Sequence, residues 1–414
     1  MSNKILKNLG VFASFLLLLV AITACDNESP SLYPDLGPQE GEPAWLERAV
    51  LVYMLSDNSL GDGGYDRENL ADMIRAAKDG RLGHNRLLVY HDDAKASNPT
   101  LKEVTPMGLR ILKEYDNSQT SISPERMSQV IADFKSLAPA KHFGLIIWSH
   151  ATGWLQTGES VSLNGVEPMW VGEDRGKYMN VTTLAQVLNG KDFDCIYFDC
   201  CHMASVESLY ELRNVADKFV GSCAELPAEG MPYYETLPYL MAVVPDLEGA
   251  AHTTYSKYSV LSGVECSCTM SVIDASQLNR LAEATRQIYK LHPTLPADYT
   301  GQPFERREPC YLFDMEHYIE ALYSNSSDIR EMRKAYAEWL LAIDDCVTYA
   351  ATTPWMFYGY NGIKIDSHCG LTTYILRQES DADTKGYRTL SWYGDVVSAL
   401  FEQATDEDAE TDIE

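Results

Sequence analysis

The stretch FDCCHMASVE, residues 198–207, gathers several groups capable of chemistry within a few positions. Asp199 is an acid, Cys200 and Cys201 are adjacent thiols, and His202 follows them. A second histidine, His150, follows Ser149 at the end of the apolar run FGLIIW, residues 143–148. A thiolate is a strong nucleophile, but an ordinary cysteine is mostly protonated near neutral pH and needs activation. A histidine can supply that activation as a general base and can later protonate a leaving amine. A nearby helix N-terminus would also favour the thiolate. The small residues Ala151-Thr152-Gly153 after the histidine let backbone N–H groups approach a developing oxyanion. Zinc is not indicated, because Cys195, Cys200, Cys201 and His202 lack a C-x-x-C pair and adjacent ligands strain a tetrahedral site.

These groups are useful only if the chain brings them together. Apolar runs at Val50–Leu55, Arg86–Tyr90, Phe143–Trp148, Asp194–Phe198 and Lys218–Ser222 predict strands. Helical spacing separates them: Leu70, Met73, Ile74 and Ala77 share one face, Ser123-Pro124 starts a helix carrying Val130, Ile131 and Phe134, and 181–188 suits another. A helix is also expected from Val206 after the cysteines. Apolar strands alternating with helices predict an α/β fold with a mostly parallel sheet covered on both faces. Ligands of such sheets bind beyond the carboxyl ends of the strands. His150 and Cys200-Cys201 follow two successive strand ends, so they meet if those strands are neighbours. A lone His or Cys would be read as packing; their joint occurrence shifts the reading to a dyad.

Beyond residue 250 the pattern changes. Asp274-x-x-Gln277 can cap a helix running to His292. Ile329, Met332, Tyr336, Leu340, Ile343 and Val347 predict a long amphipathic helix, and LTTYIL, residues 371–376, a returning strand. The division expected is a catalytic core over 45–250 and a C-terminal α+β extension over 251–403, followed by an acidic, disordered tail over 404–414.

The chain has 414 residues, 45% of them hydrophobic, which is ample for a large core. Its formal net charge of −27 argues against nucleic-acid binding. The N-terminus reads as an export signal: Lys4 and Lys7 precede an apolar run, Val11 to Ile22, too short to span a bilayer comfortably. Ile22-Thr23-Ala24-Cys25 resembles a bacterial lipobox, which implies that 1–25 is a signal segment ending at a lipidated Cys25. Multiple acyl chains would give stable anchoring, with the polar, Pro- and Gly-rich 26–44 as a tether. The other nine of the ten cysteines (10 − 1 = 9) are an odd number, so at least one thiol is left outside any intramolecular disulfide.

Four stretches resemble the clostripain family of cysteine peptidases, within the clan of caspases, gingipains and legumain. YMLSDNSL (53–60) is similar to its opening strand and turn, IIWSHATGW (146–154) to its histidine motif, FDCCHMASVE to its nucleophile motif, and AELPAEGMPY (224–233) to the segment beside its specificity pocket. The 51 residues between His150 and Cys201 (201 − 150) are close to the roughly 50 found in caspases. The resemblance implies a caspase-like three-layer α/β/α sandwich and a lipid-anchored cysteine endopeptidase outside the cytoplasm. It puts the base on His150 and the nucleophile on Cys201, leaving Cys200 to pack. It makes Asp199 a pocket acid for Arg or Lys side chains, with Glu225 or Glu229 as a second. Ala151 stands where the family has Gly, which matters to the oxyanion site only if that backbone needs a positive φ. His202 is read as packing or facing solvent. The resemblance further implies self-cleavage between the two motifs, where Arg175 and Lys177 are the basic residues of 157–180. The thiol chemistry requires no cofactor and no metal, although the family brings calcium into consideration. The expected partners are protein or peptide substrates, the membrane through the N-terminal lipid, and no nucleic acid, with the protein a monomer. The rival reading is a catalytically inactive relative acting as a surface binding module.

Overall fold

The computed structural model describes residues 45–96, 98–154, 171–306, 308–326 and 329–402. Cys25, the segments over 1–25 and 26–44, and the tail over 404–414 lie outside the described residues.

The first strand, β1 (Leu46–Ser56), is buried along nine of its eleven residues, as its unbroken VLVYML run requires. Helix α1 (Ser59–Gly63) and helix α2 (Tyr65–Lys78) follow, and α2 buries Leu70, Met73 and Ala77 as the spacing predicts. Strand β2 (Arg86–Asp93) then pairs parallel to β1. A hairpin not foreseen from the sequence, β3 (Thr100–Thr105) and β4 (Gly108–Glu114), extends the sheet antiparallel. Strand β4 has no buried residue, so its sequence lacks the apolar signal of a core strand.

Helix α3 (Pro124–Leu137) starts as expected, with Ser123 Oγ accepting the Arg126 N–H and Pro124 at its first position. Strand β5 (Ala140–Trp148) pairs parallel to β1 on its other side. A small hairpin, β6 (Glu173–Asp174) with β7 (Lys177–Tyr178), leads to helix α4 (Val181–Leu188). Strand β8 (Phe193–Asp199), the short helix α5 (Val206–Glu211) and strand β9 (Ala216–Gly221) complete the parallel centre.

The later chain joins the same sheet. Helix α6 (Tyr233–Leu240) and helix α7 (Leu247–Ser259) precede β10 (Thr269–Asp274), which pairs antiparallel to β9. Helix α8 (Leu278–Tyr289), strand β11 (Phe313–Asp314), helix α9 (Met315–Ser324) and helix α10 (Ile329–Cys346) follow. Strand β12 (Val347–Thr352) lies antiparallel to β10. The sheet order is β12-β10-β9-β8-β5-β1-β2-β3-β4, with a parallel centre and antiparallel edges. Two apolar clusters cover it, one on each face: Leu51 and Tyr53 belong to one, their neighbours Val50 and Val52 to the other. This is the expected α/β sandwich with a mostly parallel sheet. The run expected as a strand over 371–376 pairs only at Thr372–Thr373, against β11.

Candidate active site

Strands β5 and β8 pair parallel, from Gly144 with Cys195 to Trp148 with Asp199. The offset is 51 residues throughout (195 − 144 and 199 − 148). His150 and Cys201 share that offset (201 − 150), so each stands two positions past its strand's last paired residue. Both line one cleft of about 460 Å³ at the carboxyl edge of the sheet.

The loop after β5 is held in place by the chain that returns at Val171. Ala151 bridges to Val171, Gly172 N–H donates to the His150 carbonyl at 3.1 Å, and Glu173 N–H donates to Ser149 Oγ at 3.0 Å. The His150 Nε2 atom lies 2.8 Å from Ser59 Oγ at the start of α1. A hydrogen bond to one ring nitrogen selects the tautomer and leaves the other nitrogen to face the chemistry. Ser59 was not singled out from the sequence, although it lies within the quoted stretch YMLSDNSL.

Ala151 is buried and is not among the residues with positive φ. Its Cβ therefore costs the loop nothing in backbone strain. Gly153 is the position that needs glycine: its φ is +89°, and a Cβ there would lie 3.2 Å from the His202 carbonyl oxygen. Trp154 then anchors the loop in the core against Tyr374 and Tyr387, with ring centroids 5.4 and 4.7 Å away.

After β8 the chain turns sharply. His202 adopts φ +58°, an unfavourable value for a residue with a Cβ. Its N–H donates to the Ala224 carbonyl at 3.0 Å, and Ala204 N–H donates to Ser222 at 2.9 Å. His202 is buried, with Nδ1 3.2 Å from the Cys223 carbonyl, so of the two roles read for it the packing one holds. Cys200 is buried in the core, and burial pushes its thiol well up. Cys201 is partly exposed, and its Sγ accepts the Leu226 N–H at 3.3 Å. Helix α5 begins at Val206 as expected, five positions after Cys201, and Ser205 Oγ accepts the Ser208 N–H there.

Asp199 lies on the cleft floor, 5% exposed. Its carboxylate accepts Met231 N–H at 2.9 Å and Tyr233 O–H at 3.0 Å. Burial raises its pKa to about 6, against these hydrogen bonds and the nearby Lys257 charge. Glu225 also lines the cleft but is engaged, accepting from Arg306 Nε at 2.6 Å. Arg306 stacks over Phe357, with its guanidinium carbon 4.3 Å from the ring centroid. Neither residue carried a local sequence signal, because both arrive from beyond residue 300. Glu229 is exposed and is not among the described lining residues. Its carbonyl accepts from Asn69 Nδ2 at 3.2 Å, and Asn69 Oδ1 in turn accepts the Trp148 indole N–H at 2.7 Å.

Arg175 and Lys177 are exposed on the β6–β7 hairpin. Arg175 is tied down, its N–H donating to the Asp57 carbonyl at 3.1 Å and its Nε to Asp174 Oδ1 at 3.1 Å. Two groups of side chains have donor atoms close enough for a metal, Asp66 with His91 and Asp93, and Asp57 with Asp92 and Asp174. In the first, both His91 nitrogens are engaged, with Asp66 at 3.0 Å and Lys102 Nζ at 2.8 Å, so a cation there would have to displace an ammonium.

A search by family finds the clostripain peptidase family matching residues 52–410. Among solved structures, the chain is similar to a secreted C11 cysteine protease from Bacteroides thetaiotaomicron in complex with an irreversible peptide inhibitor. That likeness has 30% identity, 86% coverage of this chain, 100% of that one, and a TM-score of 0.72. It is also similar to an inactive zymogen C11 protease from Parabacteroides distasonis, with 27% identity, 86% and 99% coverage, and a TM-score of 0.71. No curated protein matches the chain.

Proposed function

The chain belongs to the clostripain family and is a cysteine endopeptidase, and we propose that it cleaves peptide bonds after Arg or Lys with Cys201 as nucleophile and His150 as acid–base partner. The single observation carrying this reading is the shared strand offset that gives both residues one cleft with Asp199 on its floor.

The basic side chain of the substrate enters toward Asp199, whose buried carboxylate gains a charge-assisted partner. The Cys201 thiol gives its proton to His150, and the thiolate attacks the peptide carbonyl carbon. The carbonyl electron pair moves onto oxygen, where backbone N–H groups of the loop containing Ala151 stabilise the charge. Collapse expels the amine, which takes the proton from His150 and leaves an acyl-thioester on Cys201. Water, deprotonated by His150, attacks the thioester and releases the carboxylic acid and the thiol. Ser59 acts as a positioning residue, holding Nε2 so that the other ring nitrogen meets the thiol. No step needs a cofactor.

An extracytoplasmic site of action is supported by the secreted relatives. Among the described residues, no helix is long and apolar enough to cross a membrane. We assign membrane attachment to acylated Cys25. Self-cleavage at Arg175 or Lys177 is supported by their exposure and by the zymogen relative. It requires the hairpin to open first, since Arg175 is held by Asp57 and Asp174.

The reading is tested with fluorogenic peptides that differ only in the residue before the scissile bond. Turnover restricted to Arg and Lys peptides, blocked by an irreversible thiol-directed peptide inhibitor, is expected. Equal turnover of acidic or apolar peptides would remove the specificity assignment. An inactive binding module is not favoured, because its cleft would have no reason to hold an acid, a thiol and a histidine together.

A further inference from the structure

The chain beyond residue 300 supplies an aromatic rim to the cleft. A hairpin pairing Trp355 with Lys364 and Met356 with Ile363 carries the tip FYGYNG, residues 357–362. The tip is tightly wound: Phe357, Gly359 and Asn361 have φ of +53°, +83° and +47°. Phe357 N–H donates to Ser267 Oγ at 2.6 Å, and its carbonyl accepts the Tyr360 N–H at 2.9 Å. A bulky residue at positive φ is held against its backbone preference, and such strain collects where a structure binds something.

The tip displays its aromatic residues instead of burying them. Tyr358 is 56% exposed and Tyr360 68%. Trp355 meets Tyr358 edge-on, with centroids 5.1 Å apart. Phe357 lines the cleft together with Arg306. The Arg306 guanidinium also lies 5.6 Å from the Tyr360 ring centroid, and its Nη1 donates to the Tyr360 carbonyl at 3.2 Å. Glu225 already meets its charge at 2.6 Å. The rim therefore offers flat groups with their charge matched, continuous with the cleft that holds Cys201.

The chemistry decides which part of a substrate reaches this rim. The leaving amine must lie by His150, beyond the end of β5. Cys201 follows β8, the next strand, and Glu225 follows β9, the strand after that. The acyl half of the substrate thus extends from Cys201 away from β5, toward Glu225, Arg306 and Phe357.

We propose that Phe357, Tyr360 and the Arg306 guanidinium form a subsite for an aromatic side chain at one of the two substrate positions preceding the basic residue. The inference rests on the peptidase reading above and adds a second determinant of its substrates. A ring placed here covers exposed aromatic surface and meets both ring edges and a planar guanidinium. An acidic side chain gains little, because Arg306 is already paired with Glu225 and the chain carries a net charge of −27.

The test is a set of fluorogenic peptides in which the two residues before the cleaved one are varied among Phe, Tyr, Ala and Glu. The cleaved residue is first chosen by a separate scan on peptides with Ala at both upstream positions. A preference other than Arg or Lys in that scan removes the basic-residue reading, and the upstream comparison then proceeds on the residue found. At one of the two positions, Phe or Tyr is expected to raise kcat/KM ~10-fold over Ala, with Glu no better than Ala. Tyr360→Ala should cut that advantage to ~3-fold, and Phe357→Leu combined with Tyr360→Ala should remove it. The proposal is overturned by equal rates for aromatic and Ala peptides at both positions, by a preference for Glu, or by an advantage undiminished in Tyr360→Ala. Should the double variant fail to fold, Tyr360→Ala decides alone. If no peptide is cleaved, the Kd of labelled versions of the same peptides for the full chain, read by fluorescence anisotropy, carries the same comparison with the same outcomes.

Discussion

His150 and Cys201 stand two residues beyond Trp148 and Asp199, the last register partners of β5 and β8, and so share the offset of those strands. The two cysteines follow directly on the end of β8, in the turn where His202 takes a positive φ. Two chemically identical neighbours thus meet different surroundings: both border the cleft, but Cys200 is buried and packed in the core, whereas Cys201 is partly exposed.

Cys201→Ala should abolish hydrolysis, a loss on the order of 10⁴-fold or more in kcat. Cys200→Ala should keep activity within about tenfold while losing ~1 kcal/mol of stability from the small cavity. The same pair, run on a gel, checks self-processing. The Cys201→Ala chain should stay intact, and so should a chain with Arg175 and Lys177 both changed to Ala. Fragments in Cys201→Ala would mean that another protease makes the cut.

Ser59→Ala should lower kcat roughly tenfold with little change in KM, because the ring loses its orienting contact while Asp199 keeps its partners Met231 and Tyr233. Ser59→Thr keeps the hydroxyl and should recover most of the rate. A purely structural Ser59 would leave the pH profile of kcat/KM unmoved, so a shifted profile in the alanine variant is the diagnostic measurement.

Asp199 should make the binding of basic substrates pH-dependent. Its carboxyl is protonated below about 6, so KM for Arg and Lys peptides should rise as pH falls through that value. Asp199→Asn should flatten this dependence and reduce the preference for basic residues by about 10–100-fold. Stability runs the other way. The folded pKa lies above the ordinary carboxylate value, so the stabilising contribution is full below about 4 and is lost as pH rises through about 6. At pH 8 the Asn variant should thus unfold no earlier than the parent while having lost its specificity.

Gly153→Ala should be damaging, since it adds a Cβ at φ +89°, 3.2 Å from the His202 carbonyl oxygen. The strain alone is ~1–2 kcal/mol. Ala151→Gly should leave turnover nearly unchanged because that backbone needs no left-handed residue. Circular-dichroism melts and peptide kinetics on the two variants separate these outcomes.

Cys25→Ala should release the protein from the membrane fraction or stop its processing at that residue. Detergent-phase partitioning identical to the parent would rule out a lipid on Cys25.

The five central strands were legible in the sequence because each is buried on both faces and so reads as a continuous apolar run. The edge strands were not, since β3 and β4 carry charges such as Glu103 and Arg110 that pair across the ladder. The first residue of β12, Val347, reads as the end of α10, because it extends the helical spacing of Ile343 and Leu340. Only its pairing with β10 ends the helix at Cys346.

The sequence by itself determined the chemical types available, the two strand ends that carry them, and the separation of 51 residues that matches the strand register. Those are local properties: apolar period, turn residues and spacing. The tertiary structure decided the rest. It put Ser59 against His150, Arg306 against Glu225, and Tyr233 against Asp199. It also closed the core behind the turn that carries Cys201 with the chain's last hundred residues, where Glu207 accepts from Thr373 Oγ1 at 2.9 Å and from Tyr374 N–H at 2.8 Å. Such contacts join positions from tens to more than a hundred residues apart. Their energy depends on distance and burial in the folded chain, and no local pattern in a single sequence records either quantity.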